Sequence, residues 1–309
     1  MFPPWLAQHA ATLMTDQFNQ KHGTEQITFS AGAGGLPKAD IRNELGSAEI
    51  YLHGAHITSF QPGGRQPVLW MSEIADFSPP KPIRGGIPIC WPWFGPHPTD
   101  ADKPAHGFVR NREWQIEQTR DNATGSSTIV FSTRDDEETR KLWDHAFDLS
   151  FKVTVGRELR VDLCCTNTGS DAIDVGAALH TYFGIEHIDN ISINGLDGRK
   201  YHDQLAAMQI VEQSGDITIG EEVDRIYTET NDTCVINDPG MNRKIRVAKE
   251  GSSSTVVWNP WIAKAGRMPD YPNEGYKTMV CIETTNAAGD VRSIAPGDQH
   301  TITQIVSVE

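Results

Sequence analysis

Two positions in this sequence set a proton-transfer group at the end of an apolar strand. In "VGAALHTYFGI", residues 175–185, alternation puts Ala178, His180 and Tyr182 on one face and Leu179, Thr181 and Phe183 on the other. The small Ala178 leaves room beside the imidazole, a group that exchanges protons near neutral pH. A histidine so placed either meets a substrate or serves as a hydrogen-bonded structural residue. In "YKTMVCIETTNA", residues 276–287, Met279, Cys281 and Glu283 share a face. A carboxylate that continues an apolar face sits in water past the strand end or is held in a site, because unpaired burial is costly. If the face points inward, desolvation raises the carboxyl pKa and makes it a better base at neutral pH.

Other segments carry charge suited to an anion. In "RGGIPICWPWFGPH", residues 84–97, Arg84 precedes two glycines, where an oxyanion could approach the backbone and meet a fork of donors. The prolines, tryptophans and phenylalanine that follow make a rigid loop, neither helix nor central strand. "AHGFVRNREW", residues 105–114, would put His106, Arg110 and Arg112 on one strand face, a basic lining or a solvated surface. Asp224 in "EVDRIYTET" and the run "VVWNPWIAKAGRMPDYPNEGYK" complete the polar inventory, and both read equally as surface turns. The chain has no G-x-S-x-G elbow, P-loop, G-x-G-x-x-G turn or H-E-x-x-H helix, and no Cys/His spacing of a metal site.

These groups must be positioned by β-structure. Short apolar alternations punctuated by Gly, Asn, Asp and Pro run from about Gln26 onward, as in "STIVFSTRD" and "FDLSFKVTVGRELRVDLCCTNTGS". Their connections are too short for repeated crossover helices, which predicts a large, mostly antiparallel sandwich or barrel. Helical turns are expected only around "DEETRKLWDH" and "HDQLAAMQIVE", and in a short N-terminal helix after Pro3 and Pro4. In that helix Trp5, Leu6, Leu13 and Phe18 are available to a core. With 309 residues, no repeat and no linker, the chain reads as one domain, residues 1–309, with 1–24 a helical extension.

Lys and Arg number 27 against 41 Asp and Glu, a formal net charge of −14. That balance argues against nucleic acid or an anionic membrane as partner, so an anionic small molecule would need a local arginine site. Five cysteines without a C-x-x-C pair, no basic and apolar leader and no long apolar run predict reduced thiols and a cytoplasmic location.

Seven segments, in order, resemble one family. "RGGIPICWPWFGPH", "AHGFVRNREW", "ALHTYFGI", "EVDRIY", "CVINDPGMNRKIRV", "VVWNPW" and "GRMPDYPNEGYKTMVCIET" are similar to bacterial D-hexose-6-phosphate mutarotases, or glucose-6-phosphate 1-epimerases, of the aldose 1-epimerase superfamily. The match runs from near residue 45 to the C-terminus. It implies an all-β galactose-mutarotase-like β-supersandwich with a few short helices and a sugar cleft on its concave face. It also implies a general acid at His180, a general base at Glu283, phosphate-binding arginines at Arg84 and Arg110, and substrate contacts at Asp224 and His106. Val223 stands where threonine is common, and Ala105 where some eukaryotic members have glutamine, so one polar contact is absent or replaced.

The implied reaction suits these residue types. Opening an aldose ring removes the proton of the C1 hydroxyl and delivers one to the ring oxygen, and closure on the other aldehyde face inverts C1. Two proton-transfer groups suffice, with no metal or organic cofactor. Glu283 and His180 would supply them, Arg84 and Arg110 would clamp the phosphate, and Trp91 or Trp93 would offer an apolar face to the sugar. A monomer acting on a hexose 6-phosphate is expected. The rival readings are a non-catalytic sugar-binding module, a mutarotase for unphosphorylated sugars, and a glycoside hydrolase using Glu283 with Asp224.

Overall fold

In the computed structural model the backbone is described from residue 4 and side chains from residue 13, both to residue 309. The expected all-β architecture is found: the strands are paired antiparallel throughout, and the parallel pairing among the described residues is a lone bridge between Trp91 and Gly107. One eight-stranded sheet runs, in spatial order, through Gln209–Glu212, Lys200–Asp203, Val223–Tyr227, Ser254–Asn259, Met279–Asn286, Ala177–Leu179 and Ile89–Cys90, with Tyr182–Gly184 also paired to Met279–Asn286. The second, also eight-stranded, has as its longest strands Gln299–Val308, Leu159–Asn167 and Phe147–Val155, with Gln299–Val308 inserted between Leu159–Asn167 and Arg243–Glu250. Ile27–Ala31, Pro37–Asn43, Gly46–Tyr51 and His56–Pro62 form a four-stranded sheet at the N-terminal end.

Period-two alternation explains the layering. Along Met279–Asn286, Val280 and Ile282 join the main core, which also takes Phe131 and Phe151 from the second sheet and Ile50 and Phe60 from the N-terminal sheet. Met279 and Cys281 point the other way, into a smaller cluster with Tyr182, Val256, Trp258 and Tyr271. The first sheet is therefore apolar on both faces, and Glu283 continues the face that turns away from the main core.

Three helices are present among the described residues. The first, Pro4–His22, is longer than the short helix expected; Phe18 packs on the core with its ring 5.8 Å from Phe29, whereas Leu13 is half exposed. The side chains of Trp5 and Leu6 lie outside the described residues. The turn in "DEETRKLWDH" is the helix Glu137–Leu142, started by an Asp136 and Thr139 capping box. In "HDQLAAMQIVE" the helical turn is a single 3-10 turn, Gln204–Ala206, at the tip of a hairpin that pairs Lys200–Asp203 with Gln209–Glu212 and is closed by left-handed Ala207 and Met208. The third helix, Trp261–Ala265, falls in a run that the sequence leaves as surface turn. Among the described residues no helix is long and apolar enough to cross a membrane.

Candidate active site

A cavity opens on the face of the first sheet that carries Glu283, and His180 stands on its wall beside that carboxylate. His180 occupies the two-residue break between Ala177–Leu179 and Tyr182–Gly184, where its backbone N–H donates to Pro88 O at 3.1 Å. The neighbouring Thr181 turns inward and exchanges hydroxyl and amide hydrogen bonds with buried Gln304. The break is thus pinned from the core side, and His180 and Tyr182 are left facing the cavity together. Their rings stack 4.8 Å apart at 7°.

His180 Nδ1 lies 3.4 Å from Glu283 Oε1. His180 is 8% exposed and Glu283 1%, and Nδ1 and Oε2 are buried without a hydrogen-bond partner. Burial, then the Asp224 carboxylate, push the Glu283 carboxyl well above the usual range, against a weaker pull from Arg110. Burial, then His106, Arg110 and Arg84, hold His180 well below its ordinary value. In the substrate-free cavity the pair is therefore biased towards its neutral form, one proton on the carboxyl and none added to the imidazole.

His106 reaches the same wall by an unexpected route. Its segment is not a strand but a turn leading into a 3-10 turn, Val109–Asn111, so His106 and Arg110 do not share a strand face. His106 takes the left-handed conformation, φ 65°, next to Gly107, where a Cβ would lie 1.8 Å from Trp91 O. The His106 backbone N–H donates to Gly95 O at 2.6 Å, and its Nδ1 accepts from the Gly95 N–H at 3.2 Å. The ring proton therefore sits on Nε2. Burial and the cations Arg110, Arg84 and Lys264 push its pKa down to about 3, so it is a neutral donor, with its ring 5.9 Å from that of His180.

Arg84 lines the cavity, held by Nε to Asp270 Oδ2 at 3.2 Å and by Nη1 to the Tyr182 hydroxyl at 3.1 Å. Among the described residues its Nη2 has no protein partner, which leaves a charged donor for a ligand. Gly85 and Gly86 do not leave room for an oxyanion, as the sequence suggested: a Cβ at Gly86 would lie 2.1 Å from Ile57 O, so the glycine serves close backbone packing. Arg110 is not on the cavity wall; its Nη2 donates to Ala105 O at 2.9 Å. Asp224 is on the wall, hydrogen-bonded by the Gln204 amide and 3.5 Å from Lys264 Nζ, and burial raises its pKa.

Neither Trp91 nor Trp93 lines the cavity. Trp91 packs in the core against Phe108, Trp143 and Phe147, and Trp93 Nε1 donates to Pro104 O. The tryptophan on the wall is Trp258, whose ring lies 5.6 Å from Lys264 Nζ. Trp258, Lys264 and Met268 come to the wall from the run that the sequence reads equally as a surface turn, and Gln204 comes from the segment expected to hold a helical turn. Trp258 sits opposite Asp224 in the strand register, a pairing that only the assembled sheet reveals.

Comparison with known proteins places these observations in context. A family model described as aldose 1-epimerase matches residues 37–307. An Escherichia coli K12 protein provisionally named glucose-6-phosphate 1-epimerase is 38% identical over 241 residues, 78% of this chain and 80% of its own length. A Cenchrus ciliaris protein under the same provisional name is 34% identical over 275 residues, 86% of this chain and 82% of its own. The crystal structure of YeaD from Salmonella typhimurium, a provisionally assigned mutarotase, superposes with a TM-score of 0.86 at 31% identity, covering 92% of this chain and 94% of that one. A galactose 1-epimerase from Lactobacillus acidophilus has the same fold, with a TM-score of 0.73 at 12% identity over 93% of this chain and 99% of that one.

Proposed function

The chain belongs to the aldose 1-epimerase family, and from that premise we propose that it interconverts the α and β anomers of hexose 6-phosphates, with glucose 6-phosphate as first substrate. The observation that carries the reading is the buried His180 and Glu283 pair, 3.4 Å apart on a cavity wall. Ring opening starts from the charged form, in which the carboxyl proton has passed to His180: Glu283 takes the proton of the C1 hydroxyl while His180 delivers one to the ring oxygen. At the open-chain stage the pair is then neutral, the form that the dry cavity favours. Rotation about the C1–C2 bond presents the other aldehyde face, and the two transfers run backwards. No net proton crosses the cavity, so a water-poor site does not slow the exchange.

Arg84 is the proposed anchor for the phosphate, because it offers a free charged donor at the cavity, and Lys264 is the second cation on the wall. Arg110, expected to complete a clamp, acts here through its field on His180 and Glu283. His106 and Asp224 hold sugar hydroxyls as donor and acceptor, and Trp258 offers the apolar face. We also propose a cytoplasmic monomer without a nucleic-acid partner, supported by five free cysteines and the net charge of −14.

Exchange NMR on the anomeric protons of glucose 6-phosphate, run against glucose, tests the reading. Faster α/β exchange for the phosphorylated sugar is expected. Binding of sugar phosphate without faster exchange would leave a sugar-binding module, and release of an aryl alcohol from aryl glycosides would point to a hydrolase.

A further inference from the structure

Beyond proton transfer, we propose that His180, Cys281 and Glu283 form a binding site for a borderline-soft divalent cation of the zinc class, and that the cation silences the site by occupying its acid–base pair. Nδ1 of His180, Sγ of Cys281 and a carboxylate oxygen of Glu283 all lie within 4.8 Å of one another, and all three residues are buried. A tetrahedral zinc site has ligand bonds of about 2.0–2.3 Å, which sets its donor atoms roughly 3.3–3.6 Å apart. Nδ1 and Oε1 already stand at 3.4 Å, and the thiol, no more than 4.8 Å from either, has at most about 1.2–1.5 Å to close, within the reach of a χ1 adjustment.

The donors are also available. Nδ1 of His180 and Oε2 of Glu283 are buried without a hydrogen-bond partner, and both residues line the cavity, which provides the entry path. Cys281 stands on the same sheet face, between the strand partners Tyr182 and Trp258, and takes no part in the proposed proton transfers. One thiolate, one imidazole and one carboxylate suit zinc and discriminate against magnesium and calcium, which take oxygen ligands. Thiolate and carboxylate balance the double positive charge, the thiol and carboxyl protons both leave to water through the cavity, and the fourth position stays open towards the cavity. Metal binding stands on the geometry alone, whereas the silencing rests on the acid–base reading of the same pair.

The test is a titration of the purified protein with cobalt(II), followed by displacement with zinc. The wild type is expected to show a thiolate-to-cobalt charge-transfer band that zinc abolishes. Cys281→Ser loses the band, and Cys164→Ser, which removes the half-exposed thiol on another sheet, keeps it. Cys281→Ser keeps its metal-free exchange rate and becomes at least roughly tenfold less sensitive to zinc, as loss of a ligand requires. Should that variant fail to fold, His180→Ala must lose the band as well. Absence of the band in the wild type, or its loss in Cys164→Ser with retention in Cys281→Ser, overturns the proposal. A band in a protein that accelerates no sugar exchange leaves the metal site standing and removes the mutarotase reading, so the two failures are told apart.

Discussion

Replacing Glu283 by glutamine keeps the shape of the protonated side chain and removes its capacity as a base. No other carboxylate on the cavity wall can stand in, because Asp224 is engaged by Gln204 and Lys264. A positioned acid or base contributes about 10²–10⁴ in rate, or roughly 2.7–5.4 kcal/mol of barrier at about 1.36 kcal/mol per tenfold, and the upper half of that range is expected here. Stability should move the other way. Glu283 has a folded-state pKa above the ordinary 4.5, so its contribution to stability is complete below that value and is lost as pH rises through the folded-state value. The variant has no such loss, and its melting temperature relative to wild type should climb from pH 4.5 upwards. Anomeric exchange NMR with thermal melts at several pH values reads both effects. Exchange within tenfold of wild type in a folded Glu283→Gln protein would refute the assignment of the base.

The remaining predictions follow from the charges around that pair. Arg84→Met removes a charged hydrogen-bond donor worth about 1.5–3 kcal/mol, so KM for glucose 6-phosphate should rise roughly 10–150-fold while that for glucose moves little; equal changes for both sugars would contradict the phosphate anchor. Nitrogen-detected NMR should find the His180 ring neutral at pH 5.5 in the substrate-free protein, where a free histidine is mostly protonated. The stability linked to that neutral burial is complete above pH 6.5 and is lost as pH falls through the folded-state value, and a half-protonated ring at pH 6.5 or above would contradict the electrostatic account. Arg243→Met strands buried Asp238, which the arginine neutralises while bonding Pro67 O and Gly184 O, and should cost about 3–5 kcal/mol by denaturant titration. Adding Asp238→Asn should recover part of that loss.

The legible part of the fold was the part written in period two. Alternation correctly put Met279, Cys281 and Glu283 on one face, and His180 with Tyr182 on another that proves to line the same cavity. The illegible part depended on turns and on neighbours distant in sequence. "HDQLAAMQIVE" has the composition of a helix, yet Ala207 and Met208 take left-handed conformations to close a hairpin, a choice imposed by pairing with Val223–Tyr227. "AHGFVRNREW" alternates like a strand, yet His106 is held by Gly95 in a turn. The sequence offers Trp91 or Trp93 as an apolar face for the sugar, but the loop folds their rings inward against residues from about 140 to 150 and 104 to 108. The wall positions they were expected to fill went to Trp258 and Lys264, whose proximity to Asp224 arises from strand pairing and from a five-residue helix.

Burial of the acid–base pair carries a cost that the substrate can offset. With no ligand, Arg84 and Arg110 act on His180 in the same direction as burial, against protonation of the imidazole that must serve as acid. A phosphate bound at Arg84 brings negative charge beside one of those cations and cancels its field at the ring, which eases protonation of His180. Tyr182 ties the two events together in space, since its hydroxyl accepts from Arg84 while its ring lies against that of His180. The phosphate group would then contribute more than affinity: it would tune the proton inventory of the pair, so that a phosphorylated sugar meets a better acid than a plain sugar does. Preference for the phosphorylated substrate would consequently appear in kcat as well as in KM, the mark of binding energy used in the transition state instead of the ground state.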